Sequence, residues 1–121
     1  MKLVNKRTSD AVDNFEKILD FQVELLKVLA NRTRLKIIYL LNDSDELAVS
    51  DLRKTLGITK ANLSQQIAIL RNAGIVRTRS EGRNVFVSIE FRDLLSACKL
   101  VRDVIREKML KQAEPFLEGE R

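Results

Sequence analysis

The sequence predicts a mainly α-helical domain that carries one β-hairpin, and three observations support this. Apolar residues recur at intervals of three and four over most of the 121 residues, which is the period of one helix face. Over residues 85–90 the pattern changes to alternation, which is the period of a strand. Glycines 57, 74 and 82 fall where these segments meet, as expected of residues that tolerate a left-handed backbone.

Two helices are predicted in the N-terminal part. The first runs from about Asp10 to Leu29. Its apolar face is formed by residues at helical spacing, namely Phe15, Ile18, Leu19, Leu26 and Leu29. Asn31 fits the N-cap of a second helix, because its side chain can accept a hydrogen bond from a free backbone N–H. The inward residues of this helix are Leu35, Ile38 and Leu41, and residues 42–46 (NDSDE) have the composition of a turn.

A third and a fourth helix follow, joined by residues 57–59 (GIT). Ser50 is the expected N-cap of the third helix, residues 51–56, and Gly57 is expected to end it in the left-handed conformation. Thr59 is the expected N-cap of the fourth helix, which runs to about Ala73 before Gly74. Its buried stripe consists of Leu63, Ile67 and Leu70. Two short helices with such a turn are the helix-turn-helix layout.

A hairpin and a last helix complete the predicted fold. Residues 75–79 and 85–90 are the strands, and residues 80–84 form a basic tip around Gly82. The last helix runs from about Arg92 to Ala113, because Pro115 disfavours helix in the residue before it. The order α1-α2-α3-α4-β-β-α5 is that of a winged helix-turn-helix. We expect this domain at residues 10–113, with tails at 1–9 and 114–121.

The positive charge is concentrated in one block. Between Asp51 and Arg83 there are seven Lys or Arg residues and two acidic ones, whereas the rest of the chain has fifteen of each. The formal net charge of +5 therefore lies within this block. A localised positive region is expected of a polyanion-binding protein, and the alternative is an ordinary solvated basic face.

The composition offers little for catalysis or metal binding. There is no histidine, no glycine-rich phosphate loop and no GxSxG element, and Cys98 is the single cysteine. We therefore expect no catalytic residue, no metal site, no cofactor and no intramolecular disulfide. No run of about 18 apolar residues occurs, and the polar N-terminus is unlike a secretory signal. We expect a cytoplasmic protein with no membrane partner.

The outward face of the fourth helix has small and amide side chains, whereas a merely solvated helix favours Glu and Lys. Small residues allow close approach to the major groove, and Asn or Gln can bond adenine through two hydrogen bonds. The alternative is a polar surface helix with few charges. The predicted DNA-contacting residues of this helix are Lys60, Ala61, Asn62, Ser64 and Gln65.

Further DNA contacts are expected around this helix and at the hairpin tip. A projecting wing can reach a minor groove or the backbone, where arginine is favoured, and the alternative is an ordinary exposed turn. The wing residues are Arg79, Arg83 and Asn84, and Thr59 and Arg71 lie at the two ends of the fourth helix. The expected phosphate contacts include Arg53, Lys60, Arg71, Arg79 and Arg83.

Two segments resemble the ArsR/SmtB family of winged-helix repressors. They are LLKVLANRTRLKIIYLLN (25–42) and ELAVSDLRKTLGITKANLSQQIAILRNAGIVRTRSEGRNVFVSI (46–89). The resemblance implies a homodimer built by the first and last helices, with the fourth helix in the major groove of duplex DNA. It also implies repression that is relieved by a small effector, often a metal ion.

The chain departs from this family at the known metal sites. Metal-sensing members have two cysteines in an ELCVCDL motif, where this chain has Ala48 and Ser50. A second family site uses histidines and carboxylates of the last helix, and this chain has no histidine. Neither site can be transferred, because the thiolate and imidazole donors are missing. We therefore expect no response to metals through these sites, and the effector is unknown.

The resemblance also indicates the dimer interface. The last helix has an apolar stripe at helical spacing, which the first helix would complete. The predicted interface residues are Phe15, Leu19, Leu94, Cys98, Val101, Ile105 and Met109. Cys98 has two interpretations: a small apolar residue that fills the interface, or a redox switch across the two-fold axis.

The predicted function is therefore sequence-specific binding of double-stranded DNA by a homodimeric regulator, with repression as the expected outcome. The alternative is a winged helix that serves as a protein-interaction module in a larger assembly. The basic block favours DNA, because a protein partner does not require it.

Overall fold

The structure, a computed structural model, describes the backbone of residues 6–119 and the side chains of residues 9–113. Its elements are α1 (Lys6–Leu29), α2 (Arg32–Leu40), a 3₁₀ turn (Leu41–Asp43), β1 (Leu47–Ala48), α3 (Val49–Leu56), α4 (Lys60–Asn72), β2 (Val76–Glu81), β3 (Asn84–Ile89) and α5 (Arg92–Gly119). This order confirms the predicted helices and the hairpin. Within the described residues, no helix has the length and apolar character needed to cross a membrane.

One apolar core joins α2, α3, α4 and the sheet, and the ends of α1 and α5 pack against it. The predicted stripe of α4 is confirmed, because Leu63, Ile67 and Leu70 are all buried. The remaining core residues are Leu29, Ile37, Ile38, Leu41, Leu52, Ile75, Val76, Val87, Ile89 and Leu95. Burial of this apolar surface is the main force that holds α4 in place.

The sheet has three antiparallel strands in the order β1-β3-β2, and only β2 and β3 were predicted. β2 and β3 pair from Val76↔Ile89 to Glu81↔Asn84. The turn is therefore only Gly82 and Arg83, and the predicted tip at residues 80–84 was too long, because the strands continue pairing up to the turn. Gly82 has φ 62°, the conformation that such hairpin turns require. β1 escaped prediction because two residues are too few to show a strand period.

The helix caps agree with prediction at Asn31, Gly57 and Thr59 but not at Ser50. The Asn31 side chain accepts a hydrogen bond from the backbone N–H of Arg34, and Gly57 has φ 65°. The predicted cap at Ser50 is wrong: α3 begins at Val49, and Ala48 is its N-cap without a side-chain hydrogen bond. Pairing of β1 with β3 holds Ala48 extended, so the helix starts directly after the strand.

Both terminal helices extend beyond their predicted ends. α1 begins at Lys6 rather than Asp10, and α5 continues past Pro115 to Gly119. Proline inside a helix removes one backbone hydrogen bond, but residues 111–118 consist mainly of strong helix formers, Lys, Gln, Ala, Glu and Leu. Residues 1–5 and 120–121 lie outside the described part, so the predicted division into tails 1–9 and 114–121 stays a prediction.

Candidate nucleic-acid interface

The turn between α3 and α4 is held by hydrogen bonds at both ends. The N–H of Gly57 donates to the carbonyl oxygen of Arg53 at 2.9 Å, which closes the last turn of α3. The N–H of Asn62 donates to Oγ1 of Thr59 at 3.1 Å, which caps the first turn of α4. Thr59 therefore has a structural role at the N-terminus of α4, beside any contact it makes with phosphate.

The outward face of α4 has the predicted composition. Ala61, Ser64 and Gln65 are exposed, on the side opposite the buried stripe, and Asn62 lies half-buried on the flank of the helix. Lys60 is exposed at the N-terminal end, where backbone N–H groups and the helix dipole also favour an anion. The face is therefore small and uncharged along its middle and positive at its start.

A basic groove lies where α3, the start of α4 and the wing meet. It encloses about 330 Å³ and is lined by Ala48, Val49, Ser50, Arg53, Lys60, Arg83, Asn84 and Val85. The fold thus brings three cations together from positions up to thirty residues apart in sequence. Among the side chains of residues 9–113, none of these cations has a carboxylate partner. The groove is therefore positively charged, which is the property expected of a phosphate-binding surface.

The side chains of Arg79 and Arg83 lie in different environments, although both were predicted from the sequence to contact DNA from the wing. Its Nε donates to Oε2 of Glu46 at 2.9 Å and its Nη1 donates to Oε2 of Glu81 at 2.8 Å. The guanidinium also lies 4.5 Å from the ring centre of Phe86. These hydrogen bonds raise the pKa of Arg79 and lower the pKa of Glu46. The guanidinium is therefore engaged within the protein, which the sequence did not reveal because Glu46 is 33 residues away.

Arg77 and Arg71, two further cations of the basic block, lie in different environments. Arg77 of β2 pairs with Glu90 at 2.7 Å, so Arg83 is the wing arginine without an acidic partner among residues 9–113. Arg71 is exposed in the last turn of α4, away from the basic groove. The basic groove and Arg71 therefore lie at opposite ends of α4.

A hydrogen-bond chain that sequence reasoning missed connects α1, α2 and α4. Nε of Arg34 donates to the carbonyl oxygen of Val28 at 2.6 Å, and Nη1 donates to Oε1 of Gln66 at 2.9 Å. Nε2 of Gln66 then donates to Oδ1 of Asn62 at 3.1 Å. The pair Asn62 and Gln66 has the i, i+4 spacing that can signal such a contact, but Arg34 is 32 residues from Gln66.

The predicted dimer residues fall into two groups in the protomer. Leu94 and Cys98 are half-buried and pack against the protomer's own core, and Leu19 is also half-buried. The others are exposed, namely Phe15, Val101, Ile105 and Met109, and they are joined by exposed Ile18, Phe21, Leu100 and Val104. Eight exposed apolar side chains on two helices indicate a surface that contacts another molecule.

Cys98 lies beside Tyr39 in an apolar groove between α1, α2 and α5. The Tyr39 hydroxyl donates to the Cys98 carbonyl oxygen at 3.0 Å, and Arg102 stacks 4.9 Å from the Tyr39 ring centre. Burial raises the pKa of the Cys98 thiol, which disfavours the reactive thiolate. Within the described residues, no group of three or more His, Cys, Asp or Glu side chains could hold a metal ion.

The fold and this interface define the class of protein: a DNA-binding transcriptional regulator with a winged helix-turn-helix. Residues 31–78 match the family of bacterial regulatory proteins named arsR. The chain is 32% identical over 90 residues to the HTH-type transcriptional regulator Rv0081 of Mycobacterium tuberculosis, covering 74% of this chain and 79% of that protein. It is 38% identical over 79 residues to the transcriptional activator HlyU of Vibrio cholerae, covering 65% and 72%.

Further similarities agree with this class. The arsenical resistance operon repressor of Escherichia coli is 32% identical over 84 residues, covering 69% of this chain and 72% of that protein. The crystal structure of Rv0081 superposes with a TM-score of 0.72 at 29% identity, covering 79% and 96% of the two chains. The homodimeric winged helix-turn-helix DNA-binding domain Mb0332 of Mycobacterium bovis, solved by NMR, has a TM-score of 0.68 at 30% identity, covering 76% and 84%. The chain belongs to the ArsR family of transcriptional regulators.

Proposed function

We propose that this regulator is a cytoplasmic homodimer that binds a pseudo-palindromic DNA site, with α4 in the major groove and the wing on the flanking backbone. The observation that carries the proposal is the meeting of Arg53, Lys60 and Arg83 in the basic groove at the start of α4. The exposed face that follows is uncharged and small, and the positive groove contacts phosphate. The groove thereby orients α4, whose side chains read base edges.

The proposed base contacts are those of the α4 face, and the others position the protein on the backbone. Gln65 is an exposed side chain of α4 that can make two hydrogen bonds with one base. Arg83 and Asn84 of the wing, Lys60 and Arg71 are the backbone contacts, and Arg79 contributes less because Glu46 and Glu81 engage it. We propose no catalytic activity, since the interface offers acceptors and donors for DNA rather than a nucleophile with its base.

A second copy of this chain is the proposed partner of the exposed apolar side chains of α1 and α5. A dimer would bury these side chains, and it would place two copies of α4 about one helical turn of DNA apart. The homodimeric Mb0332 domain supports this arrangement. We propose repression as the outcome, by occlusion of a promoter. The E. coli arsenical resistance operon repressor is a repressor by name, which supports this outcome.

DNA binding is tested by fluorescence anisotropy with duplex fragments from the chromosomal region upstream of the chain's own gene. We expect binding that falls steeply with salt, with a slope of about 0.9 in log–log units for each phosphate contacted. Random duplexes of equal length serve as the control and should bind more weakly. An affinity that is undetectable or independent of salt would refute the proposal, and a purely protein-binding winged helix would then explain the fold.

Repression is tested separately, by placing a reporter gene behind the bound fragment in cells with and without the regulator. Repression predicts lower reporter output when the wild-type chain is present, and output restored by a variant that has lost DNA binding. Higher output with the wild-type chain would show that the protein activates, as the name of HlyU states for that relative.

A further inference from the structure

A hydrogen-bond chain runs through the side chains of Arg34, Gln66 and Asn62. Its direction determines whether the oxygen or the NH₂ group of the Asn62 side chain is left for another partner. The guanidinium of Arg34 is held against α1, because its Nε donates to the carbonyl oxygen of Val28 at 2.6 Å. Its Nη1 reaches Gln66 at 2.9 Å, and Gln66 reaches Asn62 at 3.1 Å. All three side chains are partly buried, so water competes less for these hydrogen bonds than at the exposed face.

The direction of every bond in this chain follows from the chemistry of arginine. A guanidinium carries only donors, so the Gln66 atom that faces it has to be the amide oxygen. The NH₂ group of Gln66 is then directed at Asn62, and the Asn62 atom that receives it has to be oxygen. The NH₂ group of Asn62 is consequently turned away from Gln66, and it has no hydrogen-bond partner among the side chains of residues 9–113.

Asn62 lies where such a group can reach DNA. It is in the first turn of α4, two residues after Lys60 of the basic groove and next to exposed Ala61. Its own backbone N–H is already used by the Thr59 cap, so the side-chain NH₂ is the donor left to this residue. The helix position and the amide orientation are therefore both settled before DNA arrives, which is the condition for a preorganised contact.

We propose that Arg34 and Gln66 are positioning residues that present Asn62 to DNA as a hydrogen-bond donor. The proposal rests on the proposed DNA-binding function and adds to it the kind of atom that Asn62 contacts. That atom is an acceptor: O6 or N7 of guanine, N7 of adenine, O4 of thymine, or a phosphate oxygen. Cytosine is the base that shows only a donor in the major groove. The two-bond contact of asparagine with adenine also needs the amide oxygen, and that oxygen already accepts one hydrogen bond from Gln66.

The proposal is tested by selecting binding sites from randomised duplexes with the wild type, Asn62→Ala and Gln66→Glu. In Gln66→Glu the new carboxylate still accepts from Arg34 but cannot donate, so the Asn62 amide has to turn and present its oxygen. For a base contact, we expect one position per half-site at which the wild type prefers guanine or thymine and disfavours cytosine. Asn62→Ala should lose about three- to tenfold of that preference, and Gln66→Glu should prefer cytosine or adenine there. Preferences are ratios within one variant, so a uniform effect of the added charge cancels.

A phosphate contact gives a different pattern from the same experiment. Asn62→Ala and Gln66→Glu should then weaken binding to all sequences by a similar factor, and no position of the selected site should change. Gln66→Met is the uncharged companion variant, needed if Gln66→Glu does not fold. It leaves the Asn62 amide free to turn, so the preference at the Asn62 position should broaden or, for a phosphate contact, overall affinity should fall.

The polarity of the chain is also measurable without DNA, by NMR of the side-chain amide groups. In the wild type the NH₂ protons of Gln66 should exchange with solvent more slowly than those of Asn62, and in Gln66→Glu those of Asn62 should become the protected ones. The proposal is overturned if Asn62→Ala binds every sequence like the wild type, if the wild type prefers cytosine at the Asn62 position, or if the two amides are protected in the opposite order. A wild type that binds no DNA would refute the proposed function instead, and the exchange measurement would still decide the polarity.

Discussion

Two exposed surfaces of this chain differ in chemistry. The first, named the DNA surface after the proposed function, consists of the outward face of α4 and the basic groove, where the cations lack acidic partners among the described side chains. The apolar surface consists of the exposed apolar side chains of α1 and α5, among them Phe21, which is 76% exposed, and Ile105, which is 52% exposed. Each surface favours contact with another molecule, but for a different physical reason. The DNA surface carries positive charge that no carboxylate neutralises, and the apolar surface exposes hydrocarbon to water.

Because the two forces respond to different conditions, the surfaces can be separated by experiment. Salt screens the attraction between cations and phosphate, whereas burial of apolar surface is not weakened by screening. Substitutions on the DNA surface should change DNA affinity without changing the oligomeric state. Substitutions on the apolar surface should change the oligomeric state first, and DNA affinity as a consequence.

The largest effect is expected from Ile105→Glu on the apolar surface. A dimer would bury this side chain, and an unpaired carboxylate there carries a desolvation penalty of several kcal/mol. Sedimentation velocity at micromolar concentration should show a dimer for the wild type and a monomer for the variant. Loss of the second half-site should weaken DNA binding by about 100-fold or more.

Ser96→Glu is the matched control, because it adds the same charge to an exposed position of α5 half a helical turn from the stripe of Val101, Ile105 and Met109. It should remain dimeric and bind DNA like the wild type. A wild-type chain that sediments as a monomer, or an Ile105→Glu variant that stays dimeric, would show that the apolar surface of α5 meets some other molecule.

The next effect in size is that of Gln65→Ala on the DNA surface. If Gln65 bonds one base through both ends of its amide, its loss should cost about 1–3 kcal/mol on the cognate site. Affinity for random duplexes should stay almost the same, and the protein should remain dimeric. Anisotropy titrations on cognate and random duplexes measure both values. Equal weakening on the two DNAs would mean that Gln65 contacts the backbone rather than a base.

The comparison of the two surfaces also shows what could be predicted from the sequence. Periodicity was sufficient for the buried stripe of α4, since Leu63, Ile67 and Leu70 all lie in the core. It was not sufficient for the stripe of α5, where Leu94 and Cys98 pack on the protomer core while Val101 and Ile105 are exposed. The same helical spacing thus covers two kinds of residue: those that pack on the protomer's own core and those that are exposed. The spacing alone cannot tell the two apart, because the difference depends on where the neighbouring helices lie.

The location of the excess positive charge could be predicted from the sequence, but the hydrogen-bond partners of each single cation could not. The basic block between residues 51 and 83 was evident, yet the different environments of Arg79 and Arg83 depend on Glu46, which comes close only when β1 pairs with β3. The chain from Arg34 to Asn62 was likewise hidden, because its first bond spans 32 residues. Local patterns thus predicted the elements and their faces, whereas long-range pairs determine which polar groups are available to a ligand.

A smaller effect is expected from the wing, where Arg83→Ala and Arg79→Ala form a matched pair. Arg83 lines the basic groove without an acidic partner, so its loss should weaken all sequences and lower the salt slope by about one contact. Arg79 is held by Glu46 and Glu81, so its loss should change the slope less. Affinity measured over a series of salt concentrations compares the two variants. A larger change in slope for Arg79→Ala would mean that DNA displaces its carboxylate partners.

The smallest effect is expected from metals and from Cys98. Tight binding of a soft metal needs two or more thiolates or imidazoles within bonding distance, and each chain supplies one thiol and no imidazole. Zinc, cadmium or arsenite at low micromolar concentration should therefore leave the protein–DNA complex intact, and Cys98→Ser should behave like the wild type.

Burial raises the pKa of the Cys98 thiol, so little thiolate forms at neutral pH and a mild oxidant should react slowly. Anisotropy of a preformed complex, titrated first with metal and then with oxidant, checks each point in both proteins. Release by metal in both would reveal a site made of other ligands, and release by oxidant in the wild type alone would show that Cys98 is a switch at the edge of the apolar surface.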